Sequence, residues 1–205
     1  MKKNKLMVFI STLLSVASFI STASADVTLK HGYIDKPPSR ATLCRTIIPG
    51  SNNIKFNTGC GQTEYEPQSI EGVKNFPNNT IKDGEIASGG NSAFYKLNEQ
   101  NINRWHKVKM QSGSYTFKWT LTAPHSTASW RFFITQPEWD ANKPLIRDDF
   151  DLTPFCQRFD NGKMPTKSVE LDCDIPERTG YHIILGVWDI ADTGNAFYQI
   201  IDAEF

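Results

Sequence analysis

The chain has 205 residues, 22 Lys and Arg against 22 Asp and Glu, and 39% hydrophobic residues. Balanced charge without a concentrated basic run argues against a nucleic-acid surface. The composition shows neither the low hydrophobicity of a disordered chain nor an internal repeat.

Lys2, Lys3 and Lys5 precede a mostly apolar stretch, Leu6–Ile20, and Ala23-Ser24-Ala25 provides the small residues of a cleavage site. Residues 1–25 therefore read as a secretory signal. The apolar run, broken by Ser11, Thr12, Ser15 and Ser18, falls short of the ~20 residues a membrane span needs, so a secreted, unanchored product is expected, taken as a monomer. Cutting after Ala25 leaves 180 of the 205 residues, a usual size for one domain. It also removes three lysines, leaving 19 basic against 22 acidic residues. Four cysteines in an exported chain point to two disulfides, with three possible connectivities. Spacing favours Cys44–Cys60 and Cys156–Cys173, local loops of a length worth ~3 kcal/mol in chain-entropy models. Zinc is disfavoured because no Cys-x-x-Cys pair is present.

Beyond the leader, Asp26–Lys30 is a short polar extension ahead of His31. Pro37-Pro38 and Cys44 then predict an extended, pinned segment. From Gly50 to Gly90 the chain is rich in Gly, Asn and Pro, which predicts a long connection carrying short helices, chiefly around Ser69–Asn75. Strand signals begin near Trp105. Tyr115, Phe117, Trp119 and Leu121 alternate with Thr116, Lys118 and Thr120, placing aromatics on one face. Ser129–Thr135, Tyr181–Ile190 and Phe197–Phe205 read as further strands, with a DNGK turn at Asp160–Lys163 between them. The expected fold is all-β, an immunoglobulin- or fibronectin-III-like antiparallel sandwich whose long loop region caps one end.

Of the four histidines, His106 and His182 lie in strand-like text and read as surface or packing residues. His125, in Ala123-Pro124-His125-Ser126, sits between two strand signals, a hairpin end where a side chain is held by the sheet yet open to solvent. A histidine at a chain start can chelate through its amino nitrogen and ring Nδ1 together. His31 paired with His125 would then offer three nitrogens, a set that suits Cu(II). Taken singly, His31 reads as a surface residue and His125 as a loop residue rather than as ligands. A paired-carboxylate glycosidase is the enzymatic rival, but Asp189 and Asp192 share one loop and do not imply opposed placement around a sugar.

Five motifs occur in one order: HGYIDKPPSR from His31, YEPQSIEG at Tyr65–Gly72, TAPHSTASWRFF at Thr122–Phe133, DLTPFCQ at Asp151–Gln157 and WDIADTGNAFYQ at Trp188–Gln199. Together they resemble the bacterial chitin-binding lytic polysaccharide monooxygenases (auxiliary activity family ten, chitin-binding type-4 domain) over residues 31–205. The resemblance implies one copper ion held by the amino group and Nδ1 of His31 and a ring nitrogen of His125. It places Ala123 and Phe197 around the axial positions, and Glu71 as a carboxylate beside the site of oxygen activation. It also implies a flat binding face carrying Tyr65, Glu66, Pro67, His125, Thr127, Asp192 and Asn195, where a ring stacks and polar groups read amides and hydroxyls.

The expected activity is oxidation of crystalline chitin at C1, with an external electron donor and peroxide or oxygen as co-reactants. The alternative is a non-catalytic chitin-binding adhesin or accessory factor on the same fold. No further carbohydrate-binding unit follows in this sequence, so the face is expected to supply the adhesion. One departure stands out. In the family the histidine is the first mature residue, whereas the cleavage site here leaves Asp26–Lys30 ahead of it. Lys30 is a disfavoured position for signal peptidase but a good one for a trypsin-like protease, so an active enzyme needs a second cut before His31; the extension is then a short pro-segment, or else it marks a non-oxidising relative. The segment between Cys44 and Cys60 is also longer than the family pattern.

Overall fold

The computed structural model describes residues 31–45 and 55–205. The expected leader, the Asp26–Lys30 extension and most of the long Cys44–Cys60 segment lie outside the described residues. Among the described residues nine strands alternate with short helical turns: β1 (His31–Lys36), α1 (Arg40–Cys44), β2 (Glu71–Val73), β3 (Val108–Lys109), β4 (Gly113–Ala123), β5 (Thr127–Ile134), β6 (Cys156–Lys163), β7 (Ser168–Ile175), β8 (Tyr181–Ile190) and β9 (Asn195–Glu204). One sheet has the order β1-β4-β7. The other runs β2-β9-β8-β5-β6, with β3 paired parallel to β9 and every other pairing antiparallel.

The sandwich core lies between the sheets. Ile34, Phe117, Trp119 and Leu121 from the smaller sheet meet Trp130, Phe132, Ile184, Trp188, Phe197 and Ile201 from the larger. Alternation along β4 follows the sequence pattern. In β8 nearly every residue is buried, because Ile184 and Trp188 face this core while Ile183, Leu185 and Val187 face a second one. That second core is made by the long connection. Ile70, Phe76, Ile81, Ile86, Phe94, Leu97 and Trp105 pack on the outer face of the larger sheet against Phe133, Tyr198 and Ile200. The connection thus covers a face of the sandwich; it does not simply cap an end. A buried ion pair fastens α1 and the connection to β9. Arg40 donates to both Asp202 carboxylate oxygens (2.6 and 2.9 Å), to the Leu97 carbonyl (2.7 Å) and to Gln100 (3.0 Å).

Both disulfides form as spacing suggested, with Cα–Cα separations of 6.0 Å for Cys44–Cys60 and 5.4 Å for Cys156–Cys173. The second joins β6 to β7 and so ties the edge of one sheet to the edge of the other. Three local expectations are corrected. Ser69–Asn75 is not helical: its centre is β2, which pairs Glu71, Gly72 and Val73 with Phe197, Ala196 and Asn195. Asp160–Lys163 is not a turn between strands but lies inside β6, where Asn161 (φ 50°) and Gly162 (φ 86°) take left-handed backbone and shift its register on β5. The segment 124–126 is not a hairpin end, because β4 and β5 belong to different sheets and it arches between them.

Candidate metal centre

Two elements meet beneath that arch. His31 opens β1 and pairs across the ladder with Ala123, the last residue of β4. Two residues after Ala123 the arch delivers His125, which is buried at 3% exposure, not open to solvent as a hairpin end would leave it. Both imidazoles lean on one phenyl ring. His31 lies 6.0 Å from the Phe197 centroid, edge-on at 87°, and His125 lies 5.9 Å from it, tilted at 44°. Phe197 cannot yield, since it stacks on Trp188 at 5.0 Å, which stacks in turn on Trp130 at 5.0 Å.

The arch is held by its own polar groups. Thr127 Oγ1 donates to the His125 carbonyl (2.9 Å) and accepts from the Trp188 indole N–H (2.8 Å), while the Ala191 amide donates to the Ser126 carbonyl (2.8 Å). Asp192 approaches His125 Nδ1 at 4.0 Å. On the other side, Gly32 N–H donates to the Gln68 carbonyl (3.1 Å), tying the start of β1 to the segment that carries Tyr65 and Glu66. Pairing of β2 with β9 sets Glu71 opposite Phe197, and Asn195 Nδ2 donates to Glu71 Oε1 (2.8 Å).

His31 Nδ1 is buried and has no hydrogen-bond partner among the described residues. Burial pulls its imidazole below the ordinary value, and the nearby Glu71 and Glu66 carboxylates oppose that shift. Burial thus favours the neutral ring, the form in which a histidine ligates a metal. Two imidazole rings over one apolar floor, one presenting an unpartnered ring nitrogen, are a donor set that fits copper. No group of three or more His, Cys, Asp or Glu side chains suited to a metal occurs among the described residues. A site completed by a main-chain amino nitrogen needs only two.

The predicted binding-face residues divide. Tyr65 (76% exposed), Glu66 and Asp192 stand on the surface, and Asn195 is half-buried. Thr127 and Pro67 do not belong to that surface: both are buried. The Thr127 hydroxyl is committed as above, and the Pro67 carbonyl accepts from Gln199 Nε2 (3.0 Å). The glycosidase pairing also falls away, because Asp189 is buried and accepts from Ser129 (2.7 Å) and Arg131 (2.8 Å) while Asp192 is exposed. Sequence reasoning missed Trp188 as a site residue. It lies 5.6 Å from His125 and fixes Thr127, and its signals were a strand-like apolar run and its place at the head of the WDIADTGNAFYQ motif. His182, expected to be a packing residue, is one: it is buried in β8, with Nδ1 2.9 Å from Thr135 Oγ1.

Comparison with known proteins gives a consistent picture. The sequence profile described as lytic polysaccharide mono-oxygenase, cellulose-degrading, matches residues 31–203. A Photorhabdus luminescens AA10 LPMO structure is 47% identical and superposes with a TM-score of 0.80, covering 85% of this chain and 98% of that one. The catalytic domain of a Listeria monocytogenes LPMO is also 47% identical, with a TM-score of 0.77 over the same shares. GlcNAc-binding protein A of Vibrio campbellii is 46% identical over 181 residues, 85% of this chain. The chain spans only 37% of the length of that relative and 41% of the corresponding Vibrio cholerae protein.

Proposed function

Because the chain belongs to the lytic polysaccharide monooxygenase family, we propose that it is a secreted copper-dependent enzyme that binds crystalline chitin and oxidises its glycosidic linkages at C1. The observation that carries this reading is the pair of imidazoles on Phe197, with the Nδ1 of His31 buried and unpartnered. In this reading His31 and His125 hold the ion through ring nitrogens, and the His31 amino nitrogen joins them once Lys30 is removed. Copper bound there supplies one-electron chemistry toward oxygen or peroxide, with electrons drawn from an external donor. Phe197 and Ala123 restrict the approach to small species. Glu71, which accepts a hydrogen bond from Asn195, is the group this reading assigns to hold or move a proton beside His31.

Tyr65 supplies the stacking ring, with Glu66, Asp192 and Asn195 as the polar groups around it. Pro67 and Thr127 act from beneath the face, as supports. Chitin over cellulose is supported by the YEPQSIEG motif and by relatives named for GlcNAc binding, although the family description names cellulose. The non-catalytic alternative draws on one observation: in the full sequence the His31 nitrogen is bonded to Lys30 and is no amine.

Product analysis decides the substrate. Chain trimmed to His31, loaded with copper and given a reductant, is expected to release C1-oxidised oligosaccharides from chitin and far fewer from cellulose. Equal release from both polymers would overturn the chitin assignment, and release from neither would overturn the enzymatic one.

A further inference from the structure

A trough of about 530 Å³ descends from the arch over the outer face of the larger sheet, across β6, β5 and the end of β8, apart from the residues given functional roles above. Its upper end is made by Ala128, Gly162 and Ala191, and lower down it is walled by Phe159, Gln157 and Arg131. The β6 bulge shapes it: left-handed backbone at Asn161 and Gly162 breaks the register on β5 between Thr127 and Ser129. Ser126 Oγ donates to the Gly162 carbonyl (2.7 Å), so the trough joins the arch that carries His125.

Its chemistry is specific in one respect. The charged groups along it are already engaged: Arg131 with Asp189 and the Phe76 carbonyl, and Lys74 Nζ with the Ile190 (3.3 Å) and Thr193 (2.6 Å) carbonyls. What remains is an aromatic ring, Phe159, 60% exposed, beside the side-chain amides of Gln157, Asn161 and Asn75. An exposed ring with uncharged donors and acceptors suits a neutral ligand that has both an apolar face and hydroxyl or amide groups. An anion finds no uncommitted cation there. Strand registry sets Phe159 opposite Ser129 and Gln157 opposite Arg131, progressively farther from the arch. A wall descending the sandwich in this way does not lie in one plane with the site above it.

We propose that this trough binds a soluble N-acetylglucosamine oligosaccharide, a loose chain end or a released product, with Phe159 as the stacking platform. The saccharide class rests on the function proposed above, whereas the site does not share its residues.

The test is amide-resolved NMR titration of the full chain, without copper, with tetra-N-acetylchitotetraose. Shifts are expected at Gln157, Phe159 and Gly162. Phe159→Ala should weaken the affinity roughly fivefold, Phe159→Tyr should restore it, and Tyr65→Ala should leave these shifts in place. An unchanged thermal midpoint is expected for Phe159→Ala, because its ring is exposed. The proposal is overturned by no shifts in the trough at millimolar sugar, by parental affinity in Phe159→Ala, or by loss of the trough shifts in Tyr65→Ala. Adsorption to insoluble chitin and oxidised products report separately on the function proposed above, so either reading can fail alone.

Discussion

Gly72 is the narrowest joint in the support of the site, and replacing it with alanine exposes the logic of that support. β2 is only three residues long and lies against Gly89, itself in left-handed backbone at φ 64°. A methyl group on Gly72 would overlap the Gly89 carbonyl oxygen, with the Gly89 carbonyl carbon at 2.8 Å and its Cα at 3.0 Å. These are main-chain atoms, so no side-chain rotation relieves the overlap, and one strand has to move by about 1 Å. Overpacking of this kind costs ~1–3 kcal/mol. For a domain of this size that lowers the thermal midpoint by roughly 2–12 °C. The effect on function should be larger, because Glu71 is the neighbouring residue and this short pairing sets its main chain opposite Phe197. A displacement of about 1 Å in a positioned group can cost on the order of 100-fold in rate. Gly72→Ala is therefore expected to keep its fold and its chitin adsorption while losing most of its oxidised product. Calorimetry, adsorption and product chromatography on one preparation measure all three. Parental product formation in Gly72→Ala would refute the claim that β2 positions Glu71.

Other consequences can be checked more briefly. His125→Ala should lower copper affinity steeply in titration calorimetry, and unchanged affinity would exclude it as a ligand. Asp202→Asn leaves the buried Arg40 guanidinium uncompensated, which should cost ~3–5 kcal/mol in denaturant melts; a loss below about 1 kcal/mol would mean that Leu97, Gln100 and Trp105 suffice. Burial, followed by the charge of Arg178, lowers the His182 pKa below its ordinary value. The unfolded chain therefore binds this proton more readily. The associated stability is complete above the unfolded value near 6.5 and is lost as pH falls from there toward the folded value. His182→Gln should show a shallower decline in melting temperature below about pH 6.5, and identical slopes would assign the pH dependence elsewhere.

Legibility followed local physics. β4 could be read because one of its faces meets the core and the other meets solvent, so Tyr115, Phe117, Trp119 and Leu121 alternate with polar residues. β8 and β9 showed as apolar runs, buried on both faces. β6 was hidden: it is an edge strand, mostly exposed or half-buried, with a bulge whose Asn-Gly text matches a turn. β2 has no strand signal of its own, since three residues beside glycines pair only because β9 is there. The same limit explains the arch. That Ala123 and Thr127 belong to different sheets depends on β1 and β8, residues far away in sequence, and with it goes the burial of His125 and Thr127. The two histidines and Phe197 were nameable from motif order, but their convergence on one ring required coordinates.

The central claim is that copper chemistry here depends on a free amino group at His31. Two forms of the chain, one beginning at Asp26 and one at His31, should be loaded with copper and compared on chitin with the same reductant. The form beginning at His31 is expected to bind copper tightly and to release C1-oxidised oligosaccharides, and the form beginning at Asp26 to do little of either. Equal oxidation by the two forms would contradict the claim.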